Sequence, residues 1–131
     1  MFRHIAILSA LLSVACTELN YPPVISPIAP QLVNVGQTLV VPLTASDPDG
    51  DAITFTATPM PTTADFKIVD GQWVFEWAPL ISDTGAGGKL HLITFHANDG
   101  RGGSTARLME VTVQPLVGAP VFVGPQGYVL N

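Results

Sequence analysis

The sequence predicts an all-β fold, an antiparallel Greek-key sandwich of about seven strands, and three observations carry that expectation. Beyond the N-terminal apolar run no window shows a helical period, whereas short runs of alternating apolar residues recur between turn signals. Twelve glycines and twelve prolines punctuate the 131 residues, and both residue types interrupt helices and bound short strands. A single cysteine leaves no disulfide within the chain, so apolar packing has to hold the sheets together.

A chain of this length accommodates one domain. Charged residues make up 11% of it, the formal net charge is −5, and the few basic residues are scattered, so no nucleic-acid partner is expected.

Residues 1–15 read as a signal peptide. A short basic head, Met1-Phe2-Arg3-His4, precedes an apolar run over 5–15 that is too short to cross ~30 Å of hydrocarbon. The run ends at Cys16, the lone cysteine. Leu12-Ser13-Val14-Ala15-Cys16 resembles the lipobox of bacterial lipoproteins, with Leu12 one place further from the cysteine than that family prefers. The resemblance implies lipidation at Cys16 and attachment to a membrane, the outer membrane or cell surface; the alternative is a secreted soluble domain cut at a nearby small residue. Residues 16–22 then form an anchor and linker, stiffened by Pro22 and its successors Pro23, Pro27 and Pro30.

The sandwich is expected over 23–115. A strand over 33–45 places Leu39, Val41, Leu43 and Ala45 on one face, with Pro42 requiring an edge because it has no N–H to donate. After an Asp-rich turn, Ile53, Phe55 and Ala57 continue an inward face. Residues 65–78 read as a hairpin: Phe66 and Ile68 alternate inward, Asp70-Gly71 suits a type I′ turn, and Trp73, Phe75 and Trp77 share the next inward face. These aromatics read as core; their rival is a sugar-stacking platform, which needs them exposed. After a turn-rich connection over 79–88, His91, Ile93, Phe95 and Ala97 face inward, followed by Arg107, Met109, Val111 and Val113, with the Arg107 head expected in water. Pro23-Val24-Ile25 recurs as Pro120-Val121-Phe122, so residues 116–131 read as the first strand of a second repeat. An unpaired strand from Val121 to Leu130 would offer an edge for self-association.

Four stretches together resemble a cadherin-like, Ig-like sandwich of the dystroglycan type found in bacterial surface proteins: Pro22-Pro23-Val24-Ile25, residues 45–55, residues 71–79 ending Trp77-Ala78-Pro79, and residues 95–103 leading into Val111-Thr112-Val113. The resemblance implies calcium ligands at Asp47 and Asp49 in the turn after the second strand and at Asp99 in the turn before the last. Gln114-Pro115-Leu116-Val117-Gly118 stands where cadherins carry an acidic linker, so further ligands would come from Glu18 or Asn20.

In an Ig-type sandwich both Asp-bearing loops lie at one end, where Asp47, Asp49, Asp51, Asn98 and Asp99 could converge on a calcium ion, which takes about six to eight oxygens. The spacing is not that of an EF-hand, since Gly50 is fourth from Asp47 and Thr58 stands at the twelfth place. Asp, Pro and Gly are also good turn formers in their own right, and both readings stand at this stage. Catalysis is not expected: His91 and His96 fall on opposite faces of one strand, and no nucleophile or phosphate-loop motif is present. The expected function is a structural or adhesion module at the cell surface with a protein or polysaccharide partner, against a carbohydrate-binding module or the N-terminal spacer of a longer surface protein.

Overall fold

The computed structural model describes residues 17–116 and the backbone of 121–123 and 128–130. The signal run and Cys16 lie outside the described residues. Nine strands build the sandwich: β1 (Val24–Ile25), β2 (Gln31–Asn34), β3 (Leu39–Leu43), β4 (Ala45–Ser46), β5 (Thr54–Thr58), β6 (Ala64–Val69), β7 (Gln72–Trp77), β8 (Lys89–Asn98) and β9 (Ser104–Gln114). One sheet has the order β2-β9-β8-β5, the other β3-β7-β6, and β1 pairs with β4 along one side.

The count exceeds seven because the first two expected strands are each broken. Pro27 and Pro30, which cannot donate ladder bonds, separate β1 from β2. The run over 33–45 is not one strand. A turn closed by the Gln37 N–H on the Asn34 carbonyl (3.0 Å) carries the chain from one sheet to the other, so Val33 and Val41 lie in different layers. Gly36 sits in that turn at φ +87°, where a side chain would be strained. The sandwich is also not wholly antiparallel: β2 runs parallel to β9, Gln31 beside Val111 and Asn34 beside Gln114. Strands so related need a long connection, and here it is nearly the whole domain. Pro42 does lie on an edge, since β3 pairs only with β7.

The hairpin turn has φ of +48° at Asp70 and +80° at Gly71, the two positive values that a type I′ turn requires. It aligns Phe66 with Phe75 and Ile68 with Trp73. Phe75, Trp77, Ile93, Phe95, Met109, Val111 and Val113 are fully buried. The two sheets meet through aromatic edges: Phe75 packs on Phe95 at 5.6 Å and 78°, and Phe66 on Phe95 at 5.4 Å. Trp77 is therefore core, and Trp73 is half-buried against Phe66 and Phe55.

Four expectations need correction. Ile68 has inward parity but is 57% exposed, because β6 is the sheet's edge and Ile68 lies near its open tip. The Arg107 head is not in water: Nη2 donates to the Ile25 carbonyl at 3.1 Å and ties β9 to β1. His91 is half-buried rather than enclosed, its ring edge-on to Trp77 at 4.9 Å and its Nε2 2.6 Å from the Asp83 carbonyl. The tail is not one unpaired strand: β10 (Val121–Val123) and β11 (Tyr128–Leu130) pair antiparallel as a hairpin.

Phe75→Ala should cost about 3–5 kcal/mol in urea denaturation, because it empties the contact between the sheets. Ile68→Ala, on the same face but exposed, should change stability by only about 0.5 kcal/mol.

Candidate metal centre

Two loops and the N-terminal segment meet at one end of the sandwich. The first loop wraps around its own leading aspartate: Asp47 Oδ1 accepts the N–H groups of Asp49 (2.8 Å) and Asp51 (3.1 Å), and the Asp47 carbonyl accepts that of Gly50 (3.1 Å). This is the local bonding that makes Asp a turn former, and it leaves Asp47 Oδ2 uncommitted.

The second loop closes around Asp99, a buried carboxylate. Oδ1 accepts the N–H groups of Arg101 (2.7 Å) and Gly103 (2.8 Å), and Oδ2 accepts the Asn20 amide (2.7 Å). Burial alone would push its carboxyl upward, but the donors from Arg101, Asn20 and Gly103 together hold it below the ordinary value of 3.8. Gly103 makes this packing possible. A Cβ there would lie 2.0 Å from Asp99 Oδ2 and 2.9 Å from Pro22 Cα.

The N-terminal segment is strapped over both loops. The Tyr21 N–H donates to Asp49 Oδ2 (2.7 Å), Asn20 reaches Asp99, and the Thr105 hydroxyl donates to the Pro23 carbonyl. Carboxylate oxygens of Asp47, Asp51 and Asp99 lie within 4.8 Å of one another. Asp47 Oδ2 in that group and Asn20 Oδ1 in the N-terminal segment are buried without a hydrogen-bond partner. The nearest positive charge is the half-exposed Arg101, 3.5 Å from Asp51 and 3.8 Å from Glu18.

Of the five residues expected to converge, three do. Asp49 spends an oxygen on the Tyr21 amide. Asn98 lies on the outward parity of Leu92, Thr94 and His96, next to Asp99 in sequence but on the other face, and its carbonyl accepts the Thr54 hydroxyl (3.4 Å). Sequence reasoning missed the roles of Tyr21, Arg101 and Gly103; the Gly102-Gly103 pair beside an aspartate was the available signal.

Gly103→Ala should lower stability by about 1–3 kcal/mol, since a carboxylate held by three donors and a proline backbone cannot both give way. The depressed Asp99 value also has a sign: the stability it contributes is complete above the ordinary 3.8 and is lost as pH falls through the lower folded value. Thermal unfolding between pH 5 and 2 should therefore show a shallower loss for Asp99→Asn than for the natural chain.

No curated protein matches the chain. A solved endo-fucoidan hydrolase, MfFcnA4 from glycoside hydrolase family 107, is 26% identical with a TM-score of 0.61 over 75% of this chain, which spans only 14% of that enzyme. The SrpA adhesin from Streptococcus sanguinis has a TM-score of 0.58 at 11% identity, covering 80% of this chain and 63% of the adhesin. Titin domain M7 has a TM-score of 0.52 at 16% identity, covering 74% of this chain and 98% of the titin domain. The last two show the fold alone. A family model described as a bacterial Ig domain matches residues 20–112, and with the topology and packing above the chain belongs to the bacterial Ig domain family.

Proposed function

We propose that this bacterial Ig domain is a structural or adhesion module of the cell surface whose Asp-rich end binds calcium and thereby locks the N-terminal segment onto the sandwich. The observation that carries the reading is the meeting of three carboxylates, one of them with a buried, unpartnered oxygen (Asp47 Oδ2), beneath a segment whose Asn20 Oδ1 is likewise buried and unpartnered. Unpartnered buried atoms occur elsewhere among the described residues, at Asn34, Trp77 and Arg107, but only at this end do they lie with a group of carboxylates, and hard oxygen donors of this kind suit calcium. Asp47, Asp51, Asp99 and Asn20 would hold the ion, with carbonyls or water completing the shell. The ion would neutralise the crowded carboxylates and bridge residues far apart in sequence.

The path of the chain supports a spacer role. Asn20 is bonded at the Asp-rich end, whereas β9 runs eleven residues away from it to Gln114, which accepts the Val35 N–H. At ~3.3 Å per residue the chain enters and leaves about 35 Å apart, which is how domains strung in series extend a surface protein. The adhesin neighbour and a small domain within a far longer hydrolase fit such a use. Where Cys16 is lipidated, Asn20 follows it by so few residues that the Asp-rich end would stand within ~15 Å of the membrane. The carbohydrate-binding alternative has lost two of its three aromatics, because Phe75 and Trp77 are fully buried.

Thermal unfolding of the full chain tests the calcium reading. With an affinity of ~0.1–1 mM, 2 mM calcium should raise the melting temperature by about 3–10 °C over chelator. The shift should vanish in the Asp47→Asn, Asp99→Asn double variant. An unchanged melting temperature in the natural chain would leave the aspartates as turn formers only.

A further inference from the structure

We propose that the outer face of the four-stranded sheet is an interface at which a second copy of this chain docks face to face about a two-fold axis. The strand parities put Leu32, Leu90, Leu92 and Leu108 on that face, and they are 63%, 54%, 48% and 47% exposed. They are neighbours. The register places Leu32 and Leu90 on either side of Thr112, and Leu92 and Leu108 diagonally across the central β8–β9 pair.

Charge selects a second copy as the occupant. A two-fold contact sets a surface against itself, so a charged face repels its own image and a charge-poor face does not. The chain has a formal net charge of −5, yet Glu110 is the only formally charged side chain on this face among the described residues. The outer face of the other sheet carries three charged side chains, Lys67 bridged to Asp65 and Glu76, where this one has Glu110 alone.

The size is also sufficient. Strands ~4.8 Å apart and ~3.3 Å per residue give β2, β9, β8 and β5 a face of roughly 500 Å² in projection. Pairing two such faces at ~10 Å would bury on the order of 1,000–1,200 Å² in total, the low end for a specific contact. Glu110 lies beside Leu92 and must be desolvated or turned to the rim, which keeps the association weak, roughly micromolar to tens of micromolar.

Sedimentation of the full chain from about 5 to 500 µM reads this directly; the apolar run over 1–16 contributes equally to every variant, so the difference between variants is what counts. The natural chain should move from 13.8 kDa toward twice that mass. The Leu92→Glu, Leu108→Glu double variant should stay monomeric over the same range, with an unchanged melting temperature because both side chains are exposed. Mixing it with the Leu92→Lys, Leu108→Lys double variant should restore dimers. A natural chain that stays monomeric at 500 µM, association undiminished by the glutamates, or a charge-complementary mixture that stays monomeric would each overturn the proposal.

Discussion

A buried carboxylate cannot keep its charge without partners, and Asp99 is where this domain meets that constraint. Its three donors come from its own loop and from Asn20, seventy-nine residues earlier. Satisfying one carboxylate thus shapes the β8–β9 turn, requires a glycine at 103, and pins the N-terminal segment beside Pro22. Nothing in the Asp99 loop would stand over the Asp47 loop, however, without the core beneath. Phe75 on Phe95 fixes the spacing of the sheets, and the β5–β8 pairing of Thr54 with Asn98 holds the two loops side by side.

Alternation along single strands was the most legible feature. Period two assigned Leu39, Val41, Leu43, Phe75, Trp77, Ile93, Phe95, Met109 and Val111 to the core, because burial of one face leaves a local trace in the sequence. The breaks within strands, and the parallel β2–β9 pair, left none. They depend on which distant segment offers N–H and carbonyl partners once the sandwich closes, and no periodicity encodes that. Arg107 shows the same limit, since the carbonyl it finds on Ile25 exists only after β1 has docked.

The candidate site was legible as a neighbourhood more than as a ligand set. Topology alone brings the two Asp-bearing loops to one end. Within that end, the expected convergence of Asn98 with Asp99 overlooked strand parity, which continues the outward face of Leu92, Thr94 and His96 to Asn98. Asp49 stands outside the close group of Asp47, Asp51 and Asp99, and no pattern in the sequence shows that its Oδ2 accepts the Tyr21 N–H where the N-terminal segment crosses. The acidic groups thus lie at one end, the described sandwich ends at the other, and a face with Glu110 as its one formally charged side chain among the described residues runs along the side.

The acidic end is short of positive charge, and the hydrogen bonds show how that shortage can be met. Backbone N–H groups and the Asn20 amide compensate Asp99, and two N–H groups compensate one oxygen of Asp47. Arg101 faces Asp51 and Glu18 across 3.5 and 3.8 Å from a solvent-exposed position, where water and salt screen it. Protonation would relieve the crowding, but the bonds that depress the Asp99 value oppose it at neutral pH. Rearranging the loop would relieve it too, at the expense of the contacts that hold Asn20 and Pro22. The proposed cation would relieve it in a third way, by giving Asp47 Oδ2 and Asn20 Oδ1 a partner that neither a proton on Asp99 nor a shifted loop supplies.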